Sequence, residues 1–74
     1  MIKHYEIAGM KYVHDALDIK EALLLVPDIT DVTVKLGTKK LILNMKRSID
    51  IGEIQEQLLK DGDFTILEIE EMVH

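Results

Sequence analysis

Of the three histidines in this sequence, only His14 adjoins a side-chain carboxylate, that of Asp15, and the pair could hold an ion or move a proton. An imidazole beside a carboxylate can offer Zn²⁺ or Ni²⁺ one nitrogen and one oxygen. Adjacent residues rarely chelate one ion, however, and a structural zinc site takes four ligands. Asp15 therefore reads first as the N-cap of a helix, with His14 exposed beside it, and only second as a metal ligand. Soft-metal chemistry has no donor, because the chain contains no cysteine; no thiolate can meet Cu(I) and no disulfide can form. His4 falls in mid-strand and His74 at the end of the sequence, neither well placed to complete a site with His14. Covalent catalysis also lacks its parts. No nucleophile stands with a base, no glycine-rich loop cradles phosphate, and Arg47 with Asn44 is too little for acylphosphatase chemistry. The residues point to a non-enzyme with no cofactor, a weakly bound divalent metal ion being the alternative.

The elements that must position these groups belong to a small molecule. A chain of 74 residues reads as a single domain, residues 1–74, burying only ~60% of the surface its unfolded form exposes. Its net charge of −5 disfavours the phosphate backbone of nucleic acid. No apolar run approaches the ~20 residues of a membrane span, and Met1 to Glu6 is polar where a signal peptide would be apolar. A cytoplasmic setting is expected.

Apolar spacing alternates between period 2 and period 3.6. Ile2 to Ala8 reads as a strand with Tyr5 and Ile7 on one face. Asp15 to Val26 reads as a helix whose Ala16, Ile19, Ala22, Leu23 and Val26 form one stripe, stopped by Pro27. Strands at Ile29 to Leu36 and Lys39 to Lys46, joined by a reversal at Gly37-Thr38, make a hairpin with Val32, Val34, Leu36, Leu41, Leu43 and Met45 inward. Ser48 or Asp50 can cap a second helix through Lys60, with Ile51, Ile54, Leu58 and Leu59 packing inward and Gly62 left-handed beyond its end. Phe64 to Glu70 is expected to be an edge strand carrying Glu68, Glu70 and Glu71; either Phe64 and Ile66 or Leu67 and Ile69 face the core. Two crossover units sharing one sheet define an α+β, ferredoxin-like βαββαβ sandwich, four antiparallel strands with both helices on one face.

Gly9-Met10-Lys11-Tyr12-Val13-His14-Asp15 resembles the Gly-Met-x-Cys-x-x-Cys loop of heavy-metal-associated domains, with Tyr12 and Asp15 at the two cysteine positions. The segment Ile19 to Ile29 is similar to that family's Val-Glu-x-Ala-Leu-x-x-Val-Pro-Gly-Val, with Asp28 at the glycine. Ile54, Leu58 and Gly62 match its second-helix pattern, with Gln57 at an alanine and Asp63 at an aromatic. The resemblance runs from about Lys3 to Ile69 and implies the same sandwich, a site at residues 12–15 with Asp63 close by, and Met10 as core beneath the loop. It also implies that a thiolate carrier's ligands are lost here. Any residual site would draw on His14, Asp15 and Asp63, with further ligands from water or a partner chain.

Apolar residues stand where the pattern predicts solvent. Leu24 and Leu25 occupy the two variable positions of the helix signature, Leu17 lies two turns before Leu24, and Tyr12 and Val13 lie at the loop apex. An exposed group of this kind marks a contact surface; tucked under neighbouring side chains it is ordinary packing. Ile2 and Ile42 would sit on the open face of the sheet. Charge is segregated, with Lys35, Lys39, Lys40, Lys46 and Arg47 around the hairpin and the C-terminal third acidic. Such a dipole can orient a partner or a second copy. The expected function is a protein-interaction or regulatory module, binding another protein or itself; the alternative is a residual metal-ion carrier.

Overall fold

The computed structural model describes residues 1–69. In chain order the elements are β1 (Ile2–Ala8), α1 (Val13–Leu24), β2 (Ile29–Lys35), β3 (Lys40–Met45), α2 (Ile51–Leu59) and β4 (Thr65–Glu68). The sheet is antiparallel in the order β2-β3-β1-β4, the ferredoxin-like sandwich that the sequence predicts.

Alternation along the strands decides what is buried. Tyr5 and Ile7 from β1, Val32 from β2, Leu41, Leu43 and Met45 from β3 and Ile66 from β4 all turn to one face. There they form a single cluster with Ile19 and Leu23 of α1 and Ile54 and Leu58 of α2. Each aliphatic side chain so buried contributes about 1.5–3 kcal/mol. Ile49, in the loop before α2, belongs to the same core and stands outside any periodic run. The opposite face stays open and carries Ile2, His4 and Ile42, with His4 paired across from Ile42.

Several boundaries differ from the sequence expectation. Helix α1 begins at Val13 with Tyr12 as N-cap, so Asp15 is its third residue and not its cap. The hairpin turn occupies residues 36–39, longer than a Gly37-Thr38 reversal, and its left-handed position falls on Lys39 (φ 57°). Leu36 is therefore carried out of β2 and exposed. Leu59 also faces solvent, one residue past Leu58 and about 100° around the helix. Gly62 is not left-handed; it is small because a Cβ there would stand 2.9 Å from the Phe64 ring. That contact helps seat Phe64 inward, and Phe64 and Ile66 are buried while Leu67 is exposed. The expected contributions of Glu70 and Glu71, like that of His74, lie outside the described residues.

The two sheet edges are finished differently. On β4, the Gln55 amide of α2 donates from Nε2 to the Phe64 carbonyl (2.7 Å) and accepts at Oε1 from the Ile66 N–H (2.9 Å). One glutamine thus takes up two adjacent backbone groups at the start of this outer edge, the Phe64 carbonyl and the Ile66 N–H. Gln57, which the resemblance matches to an alanine, ties the helices together by donating to the Ala22 carbonyl at 3.0 Å.

Leu23 is fully buried and its neighbour Leu24 is 43% exposed. Leu23→Ala should cost about 2–5 kcal/mol, and Leu24→Ala no more than about 0.5 kcal/mol, in urea unfolding. Equal losses would mean that α1 is rotated relative to this description.

Candidate functional site

The loop between β1 and α1 is pinned at both ends. At Gly9 the backbone adopts φ +101°, and a Cβ there would lie 2.5 Å from the Asp63 carbonyl oxygen. Only glycine allows the Gly9 and Asp63 backbones to approach this closely. Met10 packs against the core from below, as the resemblance implies. The approach creates an open cavity of about 340 Å³ whose walls include Tyr12, His14 and Asp15 on one side and Asp61, Asp63 and Phe64 on the other. Asp63 is thus close to the loop, as expected.

Asp15 governs the loop's other end. Its Oδ2 accepts from the Lys11 N–H (2.7 Å) and the Tyr12 N–H (2.9 Å), while the Asp15 N–H donates to the Tyr12 carbonyl (3.0 Å). A carboxylate at the third helical position reaches back to the unpaired amides of the helix start, where the helix dipole also favours negative charge. These bonds, first that from Lys11 and then that from Tyr12, hold the Asp15 carboxyl below the usual carboxylate range. The loop carries its own anion.

His14 turns Nε2 toward Asp15 Oδ1 at 3.4 Å, and its ring stacks on Tyr12 with centroids 5.4 Å apart and planes 8° from parallel. Potential ligand atoms of His14, Asp15 and Asp18 lie within 4.8 Å of one another. Asp18 was not singled out from the sequence, although its spacing of three and four residues from Asp15 and His14 places all three on adjoining positions of a helix. Asp63 lines the cavity without joining this trio. One nitrogen and two carboxylates suit a hard or borderline divalent ion completed by water, not Cu(I). One oxygen of Asp15 is already committed to two amides, so an ion would compete with the helix start for it.

The five residues expected on a contact surface are all exposed: Tyr12, Val13, Leu17, Leu24 and Leu25. They do not form one compact patch. Val13 and Leu17 border a groove against Val32 and Val34 of β2, whereas Leu25, just past the end of α1, borders a second groove against Gln57 and Lys60 on the α2 side. Leu24, seven residues after Leu17, continues the ridge on the outer side of α1.

These features define a fold of the kind seen in heavy-metal-associated domains, with an oxygen- and imidazole-lined loop between β1 and α1. No family model matches the chain, and no curated protein matches it by sequence. Among solved structures it is similar to the PacS N-terminal domain from Synechocystis PCC6803 (TM-score 0.80, 11% identity, covering 95% of this chain and 98% of that one). It is similar also to the yeast copper transporter domain Ccc2a (TM-score 0.80, 14% identity, 96% and 97% covered) and to the copper chaperone of Enterococcus hirae (TM-score 0.76, 19% identity, 90% and 98% covered). Identities this low establish a shared fold and do not carry over a ligand.

Because the folded chain holds the Asp15 carboxyl below its unfolded value, its contribution to stability is complete above the ordinary carboxylate range and is lost as pH falls through the lowered value. The Asp15 carboxyl carbon should titrate below the ordinary carboxylate range. Asp15→Asn should be less stable than wild type at neutral pH, with the gap closing as pH falls through that range. A gap independent of pH would remove the carboxylate from this role.

Proposed function

We propose that this chain is a non-enzymatic protein-contact module, a single domain working in the cytoplasm on the scaffold of a heavy-metal-associated domain. The observation that carries this reading is the exposure of Tyr12, Val13 and Leu17 beside a loop that holds no thiolate, and of Leu24 and Leu25 at the far end of α1. Leu25 is 76% and Val13 80% exposed, a poor use of apolar side chains unless something covers them. Tyr12 supplies a broad, stiff ring at the loop apex, stacked on His14 and so already ordered for contact. The similar structures are of metal-carrying domains, and transferring a metal requires a docking face. The loss of the cargo ligands leaves such a face as the part of that job this chain can still do.

A second reading rests on the trio His14, Asp15 and Asp18. It is weak binding of a divalent ion, with remaining ligands from water or from a partner seated against the loop.

Amide-resolved NMR titration separates the two. With Zn²⁺ and Ni²⁺ the contact reading expects small shifts scattered over carboxylates, and with Cu(I) under reducing conditions none that saturate. Shifts that saturate near one equivalent and centre on residues 12–18 would replace it with the metal reading. Tyr12→Asp and Leu24→Asp should each weaken a protein contact at least about tenfold while leaving the melting temperature within a few degrees of wild type. Two variants that bind as wild type does would place the contact elsewhere.

A further inference from the structure

The edge of β2 is shaped to pair with the same edge of a second copy. Sheet parity shows which of its backbone groups point outward. The Met45 N–H donates to the Met1 carbonyl (2.8 Å) and the Met1 amino group to the Met45 carbonyl (2.9 Å), so odd-numbered residues of β3 bond to β1. Even-numbered residues of β3 then serve β2, through Lys35↔Lys40, Thr33↔Ile42 and Asp31↔Asn44. The N–H and C=O groups of Val32 and Val34 are left on the free side. On the β4 edge a side chain from the helix layer, Gln55, engages the Phe64 carbonyl and the Ile66 N–H, whereas on the β2 edge the cover among the described residues comes from the strand itself: Asp31 Oδ1 accepts from the Val32 N–H at 3.0 Å.

The regular part of this edge is short and self-complementary. A bulge between Ile29 and Asp31 ends it on one side and the turn at residues 36–39 on the other, leaving Asp31 to Lys35 with Thr33 at the centre. Two copies related by a two-fold axis at Thr33 would pair Val32 with Val34 of the other copy, in both directions. Those are the residues whose backbone groups point outward. The same register sets Asp31 against Lys35 of the other copy twice, and Thr33 against Thr33. Asp31 would release the Val32 N–H to the Val34 carbonyl opposite and take the facing ammonium instead. On the helix side, the groove of about 380 Å³ lined by Val13, Leu17 and Val34 would meet its own copy across the axis.

We propose that this chain self-associates through β2, forming an isologous dimer with a continuous eight-stranded sheet. The proposal rests on the contact-module reading and names a partner for the Val13 and Leu17 part of that surface, a second copy recognised by the Asp31–Lys35 charge pattern and the Val13–Leu17–Val34 groove.

Sedimentation of the full chain from micromolar to millimolar concentration tests it, with exchange-swap variants. Wild type should dimerise within that range, with the Val34 amide gaining protection from exchange as concentration rises. Asp31→Lys and Lys35→Glu each place like charges opposite one another and should weaken the dimer by about tenfold. The double variant restores opposite charges and should recover it. Val34→Pro removes an outward N–H without touching the β3 ladder and should give a folded monomer; if it fails to fold, the charge exchange alone decides. A wild type that stays monomeric at millimolar concentration, or a dimer indifferent to both single charge changes, overturns the proposal. Either result leaves the contact-module reading standing with another partner, whereas a saturating metal titration would overturn that reading without bearing on the oligomeric state.

Discussion

Tyr5, Leu41, Leu43 and Ile66 turn their side chains to the same side of the sheet, and Ile19, Leu23, Ile54 and Leu58 come down on them from above. A domain of this size has room for one such cluster, and removing it from water supplies most of the force available to offset chain entropy. Both crossover helices must therefore lie on that face. The consequences reach each feature of functional interest. The loop before α1 is where the chain climbs from the sheet to the helix layer, and the loop after α2 is where it descends. The two meet at Gly9 and Asp63 because the layers above and below them are locked together.

At that meeting point the loop is held by oxygen and backbone groups of the chain itself. Helix starts leave amides in need of an acceptor. In this chain the acceptor is Asp15, a side chain of the helix itself, bound to the Lys11 and Tyr12 amides. A loop satisfied internally needs no ion to stay in place. The same bonds fix the backbone that carries Tyr12, so its ring stands at the loop apex on an ordered base.

The stripe of α1, the hairpin strands and the order of elements were legible in the sequence because each depends on local periodicity. The identity of the helix cap was not. Asp15 has the chemistry of a capping residue, and a carboxylate at the third helical position reaches amides similar to those it would serve at the cap, while Tyr12 has no capping signature of its own. The inward face of β4 was open because both parities are apolar, and it was set by contacts remote in sequence: Phe64 against Gly62, and Gln55 across to Phe64 and Ile66. Leu36 would face inward only if the strand period continued past Lys35, where β2 ends, and Leu59, still within α2, lies about 100° from Leu58 and off the buried stripe. Within the candidate site the pattern left open whether the five apolar residues are exposed or tucked under neighbours, and neither their exposure nor their division between two grooves is local, since both depend on how β2 and α2 flank the helix. Asp18 lies one helical turn beyond the loop that the resemblance marks, so only the helix geometry brings it to His14 and Asp15.

The glutamine on β4 has a further implication. A molecule with two available strand edges can add copies at both ends and grow into a filament, since each addition regenerates a free terminus. Gln55 takes up the Phe64 carbonyl and the Ile66 N–H on the β4 side, so the two edges of this sheet are unequal: an incoming strand would have to displace a side-chain amide at one and not at the other. A single amide on one edge thus biases strand addition toward the opposite edge and away from growth at both.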